Sequence, residues 1–369
     1  MHGAAPRQHH LDRLKVLLTA LVVFHHAAIA YGAAGDWFYR EPGAEGSVTS
    51  QVLTLFCAVN QSFFMGMFFL LSGYLTPSSL ERKGAWRFMK ERLIRLGIPL
   101  LLFGLFLGPT TVQLAQGVAL SELSWAMTTG AGVRFVMGPL WFCWALLIFS
   151  GLFVLLSRKR LKVELCAVPT PAVLLLSAVL IGLAAFVMRL AVPVGHNVLG
   201  LQLGYFVSYV VLFVVGCAAA RHQLLDVLNS AHVRRLVWVS LAALPMLPLL
   251  LFAFEQAGVP QDGFAGGWNL AALAYALWEP LVAWGVIGGL LVGGRLCLSR
   301  PSPAWTHLTD NAYGAFVVHA PVLVAVSVVV SPLALPLGLK FIVVASLATL
   351  LSFFASFLLR LVPAVRKVL

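Results

Sequence analysis

Charge is the first scarcity. Only 10% of the 369 residues are Asp, Glu, Lys or Arg, whereas 60% are apolar and the mean hydropathy is +0.94. Such a chain lacks the polar surface to cover a water-soluble domain, so its surrounding medium must be lipid. Acidic side chains are rarer still, 13 against 25 Lys and Arg, for a formal net charge of +12. That excess does not make a nucleic-acid surface. The basic residues fall in short clusters between long apolar runs, the spacing of the positive-inside rule. Cysteines are few: Cys57, Cys143, Cys166, Cys217 and Cys297 lie in or near apolar runs with no CxxC pair and no zinc-ligand spacing. They read as small packing residues, and no metal is expected. Sequence repeats, low-complexity tracts and soluble linkers are missing as well, so residues 1–369 read as one membrane domain.

What is present is a series of ten apolar runs of the length that crosses a bilayer, about 20 residues each. They fall at about 14–32, 52–75, 93–114, 137–157, 168–190, 200–220, 235–254, 268–294, 311–332 and 338–360. The fold class is therefore all-α and polytopic, and the even count puts both termini on one side. With the N-terminus in the cytoplasm, 21 of the 25 basic residues collect on the inner side, leaving Arg40, Arg134, Arg189 and Lys340 outside. A missed or extra helix would scramble that asymmetry. The expected location is the cytoplasmic membrane. Arg7, Arg13 and Lys15 precede an apolar stretch ending in Ala28-Ile29-Ala30, which has signal-peptide character. It reads as an uncleaved anchor, because cleavage would discard the polar residues of the first span. The outer segments at about 33–51, 115–136 and 255–267 hold Asp36, Glu41, Glu45, Glu122 and Asp262, and none is long enough for a separate domain. Gly104/Gly108 and Gly285/Gly289 have the small-xxx-small spacing that lets helices approach closely.

Ionisable groups inside spans are costly, which makes each a functional candidate. His25 and His26 sit near mid-bilayer in the first span. Lys15 and His26 are eleven positions apart, close to three helical turns and roughly 16 Å of rise, so they share a face from which His25 is rotated by roughly 80°. A cation at the cytoplasmic edge could grip the phosphates of a long thioester donor and present its far end to the imidazole. Neutral imidazole can take a proton from an acceptor hydroxyl and pass it to a leaving thiolate. Glu279, within WEP, and His319, within VVHAP, lie at similar depth and could complete a polar centre shared by three helices. The plain alternative for all of them is interhelical hydrogen bonding, or for Glu279 relief of the backbone broken by Pro280. Arg92 and Arg95 share a face, and Arg95, followed at once by an apolar run, is expected at the membrane edge pointing inward. Asp12 and Asp310 stand just before spans in N-cap position, where capping is the plain role. Trp141, in GPLWF, reads as a packing or interfacial aromatic.

With these residues assembled, the chain resembles the bacterial acyltransferase-3 family of membrane O-acyltransferases over nearly its whole length. Lys15 and His26 match the family's basic residue, ten residues, then His. FFMGMFFLLSGYLTP, with Ser72-Gly73-Tyr74, is similar to the second-helix signature. KERLIRLGIPLL resembles the RxxR motif in Arg92 and Arg95, and GPLWF and DNAYGAFVVHAPVLV resemble later ones. The resemblance implies an acyl-CoA co-substrate, usually acetyl-CoA, and a hydroxyl-bearing acceptor, often an extracytoplasmic carbohydrate, glycan or glycolipid. It implies His26 as catalytic base and Lys15, Arg92 and Arg95 facing the donor's phosphates. Two departures stand out: lysine replaces the commoner arginine at position 15, losing bidentate phosphate geometry, and His25 adds a second imidazole, leaving two candidates for the base. Asp12, Tyr74, Trp141, Glu279, His319 and Asp310 are the supporting polar candidates. The rival reading is a proton-coupled transporter with His26, Glu279 and His319 as its relay, although no inverted repeat is visible. A third is an inactive scaffold, which retention of Lys15, His26, Arg92 and Arg95 disfavours.

Overall fold

The computed structural model describes residues 9–118, 128–129, 132–133, 135–158 and 165–369. Arg7, Glu122 and Arg134, named above, and Lys159, Arg160 and Lys162, counted among the inner basic residues, lie outside the described residues. Ten helices are long and apolar enough to cross a membrane, one for each expected run: α1 (His9–Ala30), α2 (Val48–Lys83), α3 (Ala85–Ala115), α4 (Gly138–Ser157), α5 (Pro171–Ala191), α6 (Leu203–Ala220), α7 (Ser230–Gln256), α8 (Leu270–Cys297), α9 (Pro303–Val330) and α10 (Leu337–Arg360). A two-residue antiparallel pair, Thr128–Thr129 with Gly132–Val133, is the one sheet among the described residues.

Consecutive helices alternate in direction, and polar contacts at their ends show it. On one face His10 meets Asp226 at 3.3 Å, the Tyr74 hydroxyl donates to Asp226 at 3.1 Å, and Arg13 donates to the Leu298 carbonyl at 2.8 Å. These contacts bring together the start of α1, the end of α2, the α6–α7 turn and the α8–α9 turn. On the other face Ser50 donates to the Gly32 carbonyl at 2.5 Å, and Lys340 at the start of α10 meets Glu41 of the α1–α2 loop at 2.5 Å. The first set is the basic face of the sequence.

α1 lies at the centre: 67% of its apolar window is buried, against 22% in α5 and in α7. The peripheral helices instead present Leu176, Leu180, Trp238, Leu249, Leu350 and Phe354 outward, the pattern of a lipid-facing surface. Between helices in lipid, cohesion comes from close packing rather than water release, and glycines set it here. A side chain at Gly73 would collide with the Phe213 carbonyl, and one at Gly216 with the Leu70 carbonyl, so α2 and α6 touch backbone to backbone. That contact accounts for glycine in the Ser72-Gly73-Tyr74 motif. Gly285 faces Ser240 and the Leu236 carbonyl, so α7 and α8 use their small-residue spacing as expected. Gly104 and Gly108 do not join two helices; they receive Phe135 and Val136 of the segment before α4.

The reason lies in proline. α3 passes through two π-helical turns, Leu93–Gly97 and Phe103–Leu107. In the second, the Gly108 N–H reaches back to Phe103, and Pro109 has no N–H to give, so the Gly104 carbonyl accepts from Val136 at 2.9 Å instead. Pro99 likewise cannot supply the N–H an α-helix would offer the Arg95 carbonyl, which accepts the Tyr313 hydroxyl of α9 at 2.5 Å. Two further expectations change. Asp12 and Asp310 are not N-caps: α1 begins at His9, placing Asp12 in its first turn, and α9 begins at Pro303 after Ser302, placing Asp310 inside it. Cys57 and Cys143 are buried as packing residues, but Cys166 and Cys297 are exposed.

Candidate functional site

α1 is an uninterrupted helix from His9 to Ala30, so Lys15 and His26 stand on one face, roughly 16 Å apart along its axis at 1.5 Å per residue. His26 meets His319 of α9, Nδ1 to Nε2, at 3.0 Å, and His319 Nδ1 lies 2.6 Å from the Phe316 carbonyl oxygen. Those two bonds fix the tautomers. A carbonyl only accepts, so His319 carries its proton on Nδ1 and offers the lone pair of Nε2. His26 must then donate from Nδ1, which leaves its own Nε2 as a bare lone pair. The imidazole rings are held edge to edge, 5.1 Å between centroids and 12° from parallel. His26 as a whole is half-buried rather than enclosed.

His25 has the opposite surroundings. It is 6% exposed, packs on Phe64 of α2 at 4.8 Å, and its Nδ1 is buried with no hydrogen-bond partner among the described residues. Of the two histidines, His26 is the more open to a reacting group.

Trp37 was not legible as a site residue. The α1–α2 loop turns at Gly32 and Gly35, where φ is +110° and +141° and glycine is required, and returns over the helix end. The Trp37 indole there lies flat on His26, 3.9 Å between centroids and 14° from parallel, and 6.0 Å from His319. The loop is tied down by Glu41, whose N–H donates to the Ala30 carbonyl at 2.8 Å and whose carboxylate accepts from Lys340 at 2.5 Å and the Tyr39 hydroxyl at 2.5 Å. Burial and the neighbouring carboxylate hold the Tyr39 hydroxyl above its ordinary range, so it remains a donor. The sequence signal was an aromatic flanked by glycines, GAAGDWFY, with nothing to show that it folds back.

The remaining candidates separate into two places. Lys15 is paired with Asp12 at 3.2 Å, one turn below on α1. Arg92 donates to Thr76 of α2 at 3.2 Å and lies over the Phe88 ring, while Arg95, one turn on, is exposed instead of pointing inward as expected, so Arg92 is the one turned toward the neighbouring helix. All three cations belong to the basic-face half. Tyr74 is there too, bound to Asp226, and the Asp310 carbonyl accepts from Arg360. Trp141 stacks on Tyr209 at 5.7 Å within the aromatic core, the packing role expected of it.

Glu279 is a correction. It does not join the histidines: it is ion-paired with Arg189 of α5, whose guanidinium also donates to the Gly204 carbonyl at 3.0 Å and lies 5.4 Å from the Tyr205 and Tyr275 rings. Arg189, read as an outer-side charge, is 1% exposed. A buried carboxylate needs a buried cation, and the partner stands 90 residues away in the chain, beyond any local pattern. A relay through His26, Glu279 and His319 therefore loses its carboxylate link.

The sequence pattern of a family described as an acyltransferase domain matches residues 8–361. Among curated proteins the chain is similar to glucans biosynthesis protein C of Salmonella schwarzengrund (strain CVM19633), 26% identical over 235 residues, 59% of each chain. The same protein of Salmonella agona (strain SL483) gives the same values, and that of Salmonella enteritidis PT4 (strain P125109) is 27% identical over 193 residues, 51% of this chain and 48% of the other. The chain thus spans about three-fifths of the first of these relatives. No solved structure matches it significantly.

Proposed function

This chain belongs to the acyltransferase family matched over residues 8–361, and on that premise we propose that it carries an acyl group, acetyl in the first instance, from cytosolic acyl-CoA to a hydroxyl. The acceptor is an extracytoplasmic carbohydrate, a choice supported by the glucans in the relatives' name. Both termini lie in the cytoplasm in this reading, and the basic face receives the donor. Lys15, Arg92 and Arg95 bind its phosphates, Lys15 exchanging Asp12 for the incoming anion. The pantetheine arm then follows α1 toward His26.

One observation carries the reading: the Phe316–His319–His26 hydrogen-bond chain, which leaves a free imidazole lone pair three turns above a basic face. A base oriented by a second group that is itself oriented is the arrangement nucleophile activation requires. His26 Nε2 takes the acceptor hydroxyl's proton and returns it to the thiolate. A general base in such a position contributes about 10²- to 10⁴-fold to rate.

Membranes or purified protein supplied with labelled acetyl-CoA test this by the release of free thiol. The expected result is turnover by wild type, loss of about 10²-fold or more in His26→Ala, and near-normal turnover in His25→Ala. Equal rates for wild type and His26→Ala would overturn the assignment.

A further inference from the structure

Attack on a thioester places negative charge on the carbonyl oxygen, and enzymes meet it with a preorganised donor at that oxygen. Histidine cannot be that donor here, because His26 Nδ1 is spent on His319 and Nε2 is the base. The group beside it is Trp37. Its indole nitrogen can only donate, and buried tryptophan N–H groups ordinarily have an acceptor. Trp37 Nε1 is buried and has no hydrogen-bond partner among the described residues, while its ring lies 3.9 Å over the His26 ring.

We infer that the Trp37 indole N–H is the oxyanion donor of the transfer, an inference that rests on the acyl-transfer reading above. The acceptor oxygen attacks the carbonyl carbon, forming the C–O bond, as its proton passes to His26 Nε2. The carbonyl π pair moves onto oxygen, which accepts the Trp37 N–H. Collapse restores the carbonyl and breaks the C–S bond; the leaving thiolate takes the proton from His26. Ester and free thiol are the products, and His26 is neutral again. The donor is fixed before reaction. Phe38 packs edge-on at 5.0 Å from Trp37, and Glu41 ties the loop to Ala30 and to Lys340.

The test compares wild type, Trp37→Phe, and position 37 carrying 3-benzothienylalanine, which keeps the two-ring shape and lacks the N–H. The substrate is acetyl-CoA labelled with ¹³C at the carbonyl, with thiol release and the infrared carbonyl band of bound donor as readouts. Both replacements are expected to lower kcat by about 10²-fold with KM for acetyl-CoA little changed. Both should also move the carbonyl band to higher wavenumber, as a lost hydrogen bond requires. The sulfur isostere controls for folding, since it preserves the stack on His26. Full kcat with an unshifted band in that variant, or a loss through KM alone, overturns the inference while leaving His26 in place. If wild type releases no more thiol than His26→Ala, the transfer reading fails first and takes this one with it.

Discussion

His25 and His26 are adjacent in the chain and differ in every respect that matters to chemistry. A helix turns about 100° per residue, enough to set one imidazole against Phe64 of α2 and the other against His319 and Trp37. His319 is a positioning residue in this arrangement, since it holds His26 in one tautomer. His319→Ala should lower kcat for thiol release by about 10- to 100-fold, the usual cost of removing a group that orients another. His319→Gln, whose amide oxygen can accept from His26 Nδ1, should recover part of the loss. Unaltered kcat in His319→Ala would sink the tautomer chain. The Lys15–His26 spacing was readable from the sequence because a helix converts interval into direction. Trp37 was not, because its position depends on a loop that reverses, and a reversal leaves no periodic trace. Glu279 was recognised as buried but given the wrong neighbours, since burial of an acid says that a cation is near without saying which.

Among the elements, the α1–α2 loop is unusual in being closed by an ion pair to the last helix. Glu41 and Lys340 are 8% and 7% exposed, so neither charge is well hydrated. Removing one partner of a buried pair costs about 3–5 kcal/mol, whereas replacing both by neutral groups is often nearly neutral. Lys340→Met should therefore lower the unfolding midpoint in detergent strongly, and Glu41→Gln added to it should restore most of the loss. Additive losses would mean that the two side chains do not depend on each other. The helices themselves were legible as spans, since apolar length is the dominant signal in lipid, but α2, α3 and α9 run about two turns past the apolar runs into polar sequence that carries no such signal. The π-turns of α3 were visible only as Pro99 and Pro109. Proline announces a missing N–H and leaves open which group will use the freed carbonyl, here Tyr313 in one case and Val136 in the other.

At the scale of the whole molecule, the alternation of ten helices gathers the basic clusters on one face, and the positive-inside rule assigns that face to the cytoplasm. Cys297, exposed at the end of α8, and Cys166, exposed in the segment before α5, belong to that face, whereas Cys57 and Cys143 are buried. A membrane-impermeant maleimide should label inside-out vesicles and leave right-side-out vesicles unlabelled until they are permeabilised. The reverse pattern would invert the proposed orientation and put the donor on the wrong side. That the basic clusters gather on one face was legible from the sequence by counting lysines and arginines. The site above that face was half legible, as two histidines at matching depth with no means of showing that they touch.

The contact between His26 and His319 joins residues 293 positions apart, and that distance has a meaning in time. Spans enter the membrane in the order they are synthesised, so α1 is embedded long before α9 exists. Through most of synthesis His26 has no imidazole to hold its Nδ1 proton, and Glu41 has no Lys340 to fasten the loop above it. Under the proposed function, the nascent chain would already display its cations while His26 is still unaligned, and the capacity for transfer would arrive only with the final two helices.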